Sequence, residues 1–220
     1  MSKEKVLLIY SGGLDSTVLL SQLLRQGKEV QCLNFSYGSK HNEKERKAAV
    51  NICIELNVLL RFFDLDLSMF NSSLLVTGEK IPEGHYEAEN MESTVVPFRN
   101  GIMLSIAAGL ATSIEFRTVA IAVHAGDHYI YPDCRELFIN SMENAMYDGT
   151  EGNVNSIYNP FVRSNKVDIV ALGNKIGAPM HLSWTCYNGR ELHCGKCGSC
   201  VERKEAFEKN GLEDPTEYEK

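Results

Sequence analysis

Seven residues near the start of the chain combine a glycine turn with hydroxyl groups and one carboxylate: Ser11-Gly12-Gly13-Leu14-Asp15-Ser16-Thr17. Two consecutive glycines allow positive φ angles and let a ligand approach the backbone closely. Free N–H groups at the start of a helix carry partial positive charge and stabilise an anion such as phosphate. The stretch is therefore predicted to be a phosphate-binding loop. The alternative is a glycine turn with a capping Ser or Asp and no ligand.

Four cysteines near the other end are spaced as C-x7-C-x2-C-x2-C: Cys186, Cys194, Cys197 and Cys200. Two-residue gaps let successive sulfurs converge on one ion, and four thiolates with no open position describe a structural zinc site. His193, beside Cys194, is an alternative ligand. An iron–sulfur cluster is the competing interpretation, although Val201 stands where ferredoxin motifs carry proline.

The elements around the first motif follow from the apolar pattern. Residues 6–10 form a branched, apolar run that suits a buried strand, and the residues after Asp15 have helical spacing. Further strands are predicted at 29–37, 59–65 and 117–123, and helices at 48–56, 99–111 and 167–175. This alternation predicts an α/β fold, a parallel sheet with helices on both faces, whose ligands bind beyond the carboxyl ends of the strands.

Other segments are harder to interpret. Residues 66–97 lack regular apolar positions, so they are predicted to be a lid or substrate loop, with a surface excursion as the alternative. Residues 159–162 are predicted to be a short strand or loop. His124 and His128 follow a strand and are interpreted as hydrogen-bonded loop histidines rather than catalytic groups. Lys166 is interpreted as part of a solvated face, with neutralisation of phosphate charge as the alternative.

Composition narrows the class of protein. The 220 residues carry a formal net charge of −7, which argues against binding nucleic acid through its phosphates and favours small-molecule partners. No apolar stretch approaches the length needed to span a bilayer, and a cytoplasmic location is expected. The length fits one domain, with a small appendage at most.

The first motif resembles the SGGxDS signature of the PP-loop ATP pyrophosphatases, which split ATP between its α and β phosphates to activate a substrate oxygen as an adenylate. Walker A loops are excluded because neither Gly27-Lys28 nor Gly195-Lys196 is followed by Ser or Thr. Nearly end to end, the chain resembles the QueC family, the 7-cyano-7-deazaguanine synthases of queuosine precursor biosynthesis. The motifs that carry this resemblance are 11–16, 37–41, 96–100, 131–135, and Cys186-Tyr187 with the three later cysteines.

The resemblance implies a Rossmann-like sheet of the adenine nucleotide alpha hydrolase type. It divides the chain into a nucleotide-binding α/β domain at 1–180 and a zinc-binding hairpin and helix at 181–220. It also implies a carbon–nitrogen ligase that uses ATP and Mg²⁺ to convert 7-carboxy-7-deazaguanine and ammonia to the nitrile through activated acyl and amide intermediates. A Zn²⁺ ion and a homodimer come with the same resemblance.

Site residues follow from these motifs. The residues expected to bind nucleotide are Tyr10, Ser11, Gly12, Gly13, Leu14, Asp15, Ser16, Thr17, Tyr37, Lys40 and His41. The residues expected on the substrate side are Arg99, Asn100, Asp127, Asp133 and Arg135. Asp15, Arg99 and Asp127 are expected to be catalytic, because arginine binds carboxylates bidentately and a carboxylate can orient Mg²⁺ or hold ammonium.

Three other functions stay open. The activated acyl group could pass to an amine on a protein, another PP-loop chemistry such as sulfur transfer to tRNA could operate, or the chain could be a zinc-containing binding module. The net acidity counts against tRNA as substrate.

Overall fold

A computed structural model describes residues 3–76, 78–85 and 89–220. Within them, five parallel strands form one sheet in the order β3-β2-β1-β4-β5. The strands are β1 (Lys5–Ile9), β2 (Glu29–Ser36), β3 (Leu59–Asp64), β4 (Thr118–Ala120) and β5 (Ser156–Tyr158). The predicted parallel sheet of Rossmann-like order is confirmed. From β1 the chain continues through β2 to β3 at one edge of the sheet, and then returns to add β4 and β5 on the other side of β1. This change of direction between β1 and β4 opens a crevice at the carboxyl ends of the strands.

Six α-helices connect and cover the described strands: α1 (Leu14–Arg25), α2 (Asn42–Glu55), α3 (Arg99–Ser113), α4 (Glu136–Gly149), α5 (Lys166–Ile176) and α6 (Gly198–Lys209). Side chains alternate along β1, so Leu7 packs in one apolar cluster with α3 and α4 while Leu8 packs in another with α1, α2, α5 and α6. The sheet is therefore covered on both faces, as predicted.

One strand is shorter than predicted and another was not predicted. The strand expected at 117–123 ends at Ala120. The segment 159–162, predicted as a short strand or loop, is a loop, and the strand at 156–158 precedes it. The side-chain amide of Asn159, turned so that its nitrogen faces them, donates to the carbonyls of Ile121 and Val123 at 3.1 and 3.0 Å. This side chain takes the place of a neighbouring strand beside residues 121–123, which line the crevice.

The segment predicted as a lid or surface excursion is largely packed. Its apolar side chains join the cluster that contains α3, and the buried ones are Leu67, Leu74, Leu75, Ile81, Met91 and Val96. A short 3-10 helix spans Glu89–Thr94. Residues 77 and 86–88 of this segment lie outside the described residues. A surface excursion is therefore wrong for the packed part, and a role against substrate stays a prediction.

The C-terminal segment packs against the rest of the chain. The backbone N–H of Trp184 donates to the Gly12 carbonyl at 3.0 Å. The buried Arg203 of α6 pairs with Asp214 at 3.1 Å and donates to the Ser183 hydroxyl at 2.9 Å and the Met180 carbonyl at 3.1 Å. Residues 181–220 thus form one wall behind the glycine turn.

One described segment, Asn90–Ser113, is long and apolar enough to cross a membrane by length and composition, so the expectation that no apolar stretch approaches that length is wrong. Half of its apolar window is buried inside the protein. It contains α3, whose residues Leu104, Ala107 and Ala111 pack on the sheet. The apolar character of this segment is accounted for by its packing in the core.

Candidate active site

A cleft of about 1090 Å³, a figure that includes its solvent-filled mouth, opens where β1, β2 and β4 end. Ile9 at the end of β1, Phe35 near the end of β2 and Ile121 just after β4 line it. Predicted site residues that line it are Tyr10, Ser11, Gly13, Leu14, Asp15, Ser16, Tyr37, His41, Arg99, Asn100 and Asp127. The fold thus brings most of the predicted nucleotide and substrate residues into one cavity.

The glycine turn is shaped by close packing. Gly12 has φ +85°, and a Cβ there would lie 2.6 Å from the Glu45 carbonyl oxygen. Gly13 is the N-cap of α1, and its N–H donates to the Ser11 hydroxyl at 3.0 Å. The Ser16 hydroxyl donates to the Gly13 carbonyl at 3.1 Å. The helix start therefore faces the cleft with the backbone and hydroxyl groups that a phosphate requires.

Two residues of the predicted loop lie behind the surface that faces the cleft. Gly12 does not line the cleft, because it backs onto α2. Thr17 is fully buried, and its hydroxyl contacts the Tyr10 hydroxyl at 3.1 Å and donates to the Gly13 carbonyl at 2.8 Å. These residues hold the turn in place rather than face a ligand.

Three other predicted residues lie outside the cleft wall. Lys40 donates to the carbonyls of Ser73 and Gly78 at 2.8 and 3.1 Å, so its ammonium group fixes the long segment 66–97. Asp133 accepts a hydrogen bond from the Asn100 backbone N–H at 2.8 Å, which caps the start of α3. Arg135 is exposed and donates to the His128 carbonyl at 3.0 Å. All three have structural contacts in this structure, and their predicted contacts with a ligand stay predictions.

A compact group of charges forms one side of the cleft. Lys166, at the start of α5, lies 2.5 Å from Asp15 Oδ2 and 3.4 Å from Glu202 Oε2. His124 Nε2 lies 3.8 Å from Asp15 Oδ2 and 3.7 Å from Asp127 Oδ2. Lys166 is buried, so its interpretation as part of a solvated face is wrong.

These contacts shift the titration of the charged groups. Burial raises the pKa of Asp15, but the charges of Lys166 and His124 outweigh burial and leave that pKa below its ordinary value. Burial lowers the pKa of Lys166, but Asp15 and Glu202 outweigh it and hold that pKa above its usual range. The Asp15–Lys166 pair is therefore ionised at neutral pH. Asp15 Oδ1 is buried and has no hydrogen-bond partner among the described residues.

His124 is both a loop histidine and a cleft residue. Its Nδ1 accepts a hydrogen bond from the Gly126 backbone N–H at 3.1 Å, as expected for a hydrogen-bonded loop histidine. Its Nε2 faces Asp15, Asp127 and Glu202. In the neutral ring, Nδ1 accepts this hydrogen bond and the proton is on Nε2, which faces these carboxylates.

The opposite side of the cleft carries Arg99. Its guanidinium donates to the Tyr37 hydroxyl at 3.1 Å and lies over the Tyr37 ring, 5.5 Å from the centroid. Among the described residues, no carboxylate lies within ion-pair distance of this guanidinium. Burial lowers the pKa of Arg99, but the surrounding Tyr37, Tyr131 and Tyr187 outweigh it and raise that pKa. The site therefore holds a permanent cation with capacity for an anionic ligand.

A buried chain of contacts continues from Arg99. The Tyr37 hydroxyl lies 3.4 Å from His41 Nε2, and His41 Nδ1 lies 3.2 Å from the Tyr187 carbonyl. Because that carbonyl only accepts, Nδ1 carries the proton and Nε2 accepts. Burial, assisted by the charge of Arg99, lowers the pKa of His41 to about 4. His41 is thus a neutral side chain that orders Tyr37.

Several residues that line the cleft are not among the predicted site residues, although Tyr131, Cys134 and Tyr187 belong to the motifs that carry the resemblance. The full set is Phe35, Glu45, Tyr131, Cys134, Trp184, Tyr187 and Glu202. Glu202 lies on α6, and Glu45 lies in the charged start of α2, so their sequence neighbours suggest an exposed helix face. Asn165 and Asp168 form a capping box at the start of α5, a sequence signal that places Lys166 at the carboxyl edge of the sheet.

The four cysteines meet as their spacing predicted. All are buried, and their sulfur atoms lie within 4.8 Å of one another. Cys186 Sγ accepts a hydrogen bond from the Cys194 backbone N–H at 3.3 Å, and Cys194 Sγ accepts one from the Cys197 N–H at 3.3 Å. Amide donors to sulfur stabilise thiolates, so this group fits a metal ion such as zinc.

His193 is excluded as a ligand in this arrangement. Its Nε2 accepts a hydrogen bond from the Thr185 backbone N–H at 3.0 Å. Its ring packs on Trp184 with centroids 4.1 Å apart. The possible metal site is therefore made by the four cysteines alone.

Comparison with solved structures finds proteins with a similar fold. NMN synthetase from Francisella tularensis matches with a TM-score of 0.54 at 15% identity, covering 97% of this chain and 79% of that chain. A predicted subunit of tRNA methyltransferase from Methanocaldococcus jannaschii matches with a TM-score of 0.53 at 16% identity, covering 99% of this chain and 92% of that chain. At such identity the likeness concerns the fold alone.

Comparison with curated sequences is more specific. The chain is 49% identical to the 7-cyano-7-deazaguanine synthase of Desulfotalea psychrophila over 96% of this chain and 97% of that protein. It is 47% identical to the protein of the same name from Porphyromonas gingivalis over the full length of both. The family model described as "Queuosine biosynthesis protein QueC" matches residues 5–211. The chain belongs to the QueC family.

Proposed function

We propose that this protein is an ATP-dependent carbon–nitrogen ligase that converts 7-carboxy-7-deazaguanine and ammonia to 7-cyano-7-deazaguanine. One observation carries the proposal: the phosphate-type turn at Ser11–Ser16 and the Arg99 guanidinium open into the same cleft. One site can thus hold a triphosphate beside an organic anion. The names of the full-length relatives support the same reaction.

ATP would bind with its phosphates on the turn. The amides at the start of α1 and the hydroxyls of Ser11 and Ser16 supply donors for the pyrophosphate portion. Lys166 adds a positive charge next to Asp15. The unpartnered Asp15 Oδ1 is a suitable oxygen ligand for Mg²⁺, which would neutralise phosphate charge. Tyr37 and His41 lie on the side of the cleft that carries Arg99, so their predicted contact with the nucleotide stays a prediction.

The chemistry begins with a carboxylate, whose oxygen is a poor leaving group. Attack of that oxygen on the α-phosphorus of ATP forms an acyl adenylate and expels pyrophosphate. Ammonia then displaces AMP, losing a proton, and gives the amide. The amide oxygen is adenylated in the same way, and loss of AMP with the remaining N–H protons leaves the nitrile. Two ATP molecules would be used at one nucleotide site.

The substrate-side residues have separate roles in this proposal. Arg99 would bind the carboxylate and offset the charge that develops on the activated acyl oxygen. Asn100 would contact the substrate from the start of α3, where Asp133 holds the backbone. Asp127, next to His124, would bind ammonium through its carboxylate. Arg135 would need to move from the His128 carbonyl to reach the substrate.

Zn²⁺ would be structural. The four sulfurs provide a closed set of ligands, and Trp184, just before Cys186, contacts the glycine turn. The metal would therefore stabilise the segment 181–220 that backs the nucleotide site, in keeping with a division of the chain at residue 180. A chain that carried iron and sulfide instead would identify an iron–sulfur cluster.

A homodimer is part of the proposal. The edge strand β3 exposes Leu59, Phe62 and Phe63, which are 53%, 48% and 40% exposed. An uncovered edge with apolar side chains is suited to pairing with another chain. We place the dimer contact at this edge. The net acidity and the small-molecule site support activity in the cytoplasm without a nucleic acid partner.

The test is to incubate the protein with ATP, Mg²⁺, ammonia and 7-carboxy-7-deazaguanine and to identify both the nucleobase and the nucleotide by mass spectrometry. The nitrile with two AMP per turnover is expected, and ADP would contradict adenylation. A parallel reaction with a lysine-containing acceptor protein distinguishes transfer to a protein amine. ATP use with tRNA and a sulfur donor, or no nucleotide binding at all, would favour the remaining alternatives.

A further inference from the structure

Glu45, on α2, places a carboxyl group in the cleft wall that the proposed reaction does not use. Its side chain is 19% exposed, and Oε2 lies 3.6 Å from His41 Nε2. No described residue donates a hydrogen bond to this carboxyl. A mostly buried carboxyl that lines a binding cavity and accepts no hydrogen bond is prepared for a ligand that supplies a donor.

His41 cannot serve as that donor. Its proton is on Nδ1 and is directed to the Tyr187 carbonyl, so Nε2 faces the Tyr37 hydroxyl and Glu45 as an acceptor. Burial and the charge of Arg99 keep the ring neutral by lowering its pKa to about 4. Glu45 therefore faces the cavity with neither a cation nor an N–H from His41.

Aromatic side chains surround the same part of the cavity. Phe35, Tyr37, Trp184 and Tyr187 all line it. Flat aromatic walls suit the faces of a fused heterocyclic ring, while polar groups at the rim select the pattern of its edge. The combination points to a planar base whose edge meets Glu45.

We propose that Glu45 is the specificity residue for the amidine edge of the deazaguanine, accepting its ring N–H and its exocyclic amino group. This inference rests on the proposed function and names the part of the substrate that the cleft recognises. Two adjacent N–H donors match the two oxygens of one carboxylate. Adenine presents an acceptor next to a donor, so the same carboxylate disfavours the base of ATP at this position.

Arg99 defines the other end of the substrate. Contacts of 3.1, 3.4 and 3.6 Å lead from the Arg99 guanidinium through Tyr37 and His41 to Glu45. A cation for the 7-carboxylate and an acceptor for the amidine edge thus lie in one part of the cleft. The two contacts fix which end of the base faces the triphosphate.

Binding should also change the charge state of Glu45. Burial raises the pKa of Glu45 to about 8, although the charge of Arg99 partly opposes it. Two N–H donors on the ligand favour the ionised carboxylate, so the base would bind with release of a proton. Calorimetry in buffers of different ionisation enthalpy measures that release.

The test compares 7-carboxy-7-deazaguanine with its analogue lacking the exocyclic amino group. In the wild type, kcat/KM should fall about 10- to 100-fold for the analogue, because one hydrogen bond to a charged acceptor is lost. Glu45→Gln should raise the KM for the natural base by a similar factor, leave the KM for ATP unchanged, and abolish most of the discrimination. Glu45→Asp keeps both oxygens and should retain discrimination with a raised KM.

Glu43→Gln is the matched control, because Glu43 is an exposed acid on the same helix. It should behave as the wild type toward both bases. Unchanged discrimination in a folded Glu45→Gln variant would overturn the inference, as would a rise in the KM for ATP alone. A wild-type protein that consumes no ATP with either base would instead refute the proposed function, and the assignment of Glu45 would fall with it.

Discussion

Lys166 Nζ lies 2.5 Å from Asp15 Oδ2, and this contact ties the start of α5 to the start of α1. Glu202 of α6 lies 3.4 Å from the same ammonium group. Lys166 thus balances two carboxylates whose backbones come from different elements. Removing the Lys166 charge would leave both carboxylates without this positive neighbour in a partly buried site.

Lys166→Met should destabilise the protein by about 3 kcal/mol, because breaking a buried ion pair leaves an unpaired charge. Activity should fall as well, since Asp15 and the phosphates would lose a counter-charge. Urea unfolding monitored by circular dichroism measures the first effect. Lys209→Met is the control: that lysine is 62% exposed and pairs with Glu205 on the surface, where a pair contributes about 0–1 kcal/mol.

The Asp15–Lys166 ion pair also makes folding stability depend on pH. The pKa of Asp15 is lowered in the folded protein, so its contribution is present above the ordinary value of 3.8 and is lost as pH falls through the folded pKa. The pKa of Lys166 is raised, so its contribution is present below 10.5 and is lost as pH rises through the folded pKa. The contribution of this pair to wild-type stability, measured against Lys166→Met, should therefore be present throughout the range from about pH 5 to 9. A difference that disappeared at pH 7 would contradict the ionised pair.

Gly12→Ala should disable nucleotide binding. A Cβ at Gly12 would lie 2.6 Å from the Glu45 carbonyl and 2.7 Å from the Ala49 nitrogen, so the turn must shift away from α2. Gly27→Ala is a matched control, since Gly27 has φ +75° with nothing within 4 Å of the added Cβ. Both variants should lose about 1 kcal/mol to backbone strain. Only Gly12→Ala should raise the Kd for ATP measured by calorimetry, and equal Kd values would refute the proposed role of the turn.

The sequence predicts the parts of this site whose signals are local. Gly12 and Gly13 stand in a strand-turn-helix context, and the cysteine spacing alone brings four sulfurs together. Lys166 is 151 residues from Asp15, so no local pattern links them. Glu45 and Glu202 sit among other charged residues on their helices, and only tertiary packing turns them inward. Strand β5 has three residues, too few for a periodic signal.

The cysteine group should contain one zinc ion per chain. Cys197→Ser removes a buried ligand, so the variant should lose the metal and unfold at lower temperature, because metal binding is coupled to folding. Elemental analysis with a thermal melt measures both. Cys53→Ala, a buried cysteine on α2 outside the group, should retain the zinc. Iron in place of zinc would identify a cluster, and equal metal content in both variants would exclude the four-cysteine site.

The edge of β3 should hold two chains together. Leu59 and Phe63 lie on one face of that strand, so Leu59→Lys with Phe63→Lys places two charges at the proposed contact. Light scattering after size exclusion should give a dimer for the wild type and a monomer for the double variant. Leu137→Lys is the control, since Leu137 is 79% exposed on α4, away from this edge. A dimer lost only in the Leu137 variant would move the interface to α4.

Glu45→Gln should stabilise the free protein with a defined pH dependence. The pKa of Glu45 is raised by burial from 4.5 to about 8, so between these values the unfolded chain is ionised while the folded one keeps its proton. The unfolded wild type then binds fewer protons, and its stability falls with rising pH by at most about 1.4 kcal/mol per pH unit. Glutamine does not titrate, so the advantage of the variant should grow from pH 4.5 to 8 and then level off.

His41 does not obscure this measurement. Its lowered pKa makes both proteins lose stability as pH falls from 6.5 to about 4, and the effect cancels in their difference. Chemical denaturation at several pH values, with Glu43→Gln as the exposed control, gives the curve. A difference that stayed constant across this range would mean that Glu45 is already ionised in the free protein. The carboxylate would then meet the amidine edge of the base without releasing a proton.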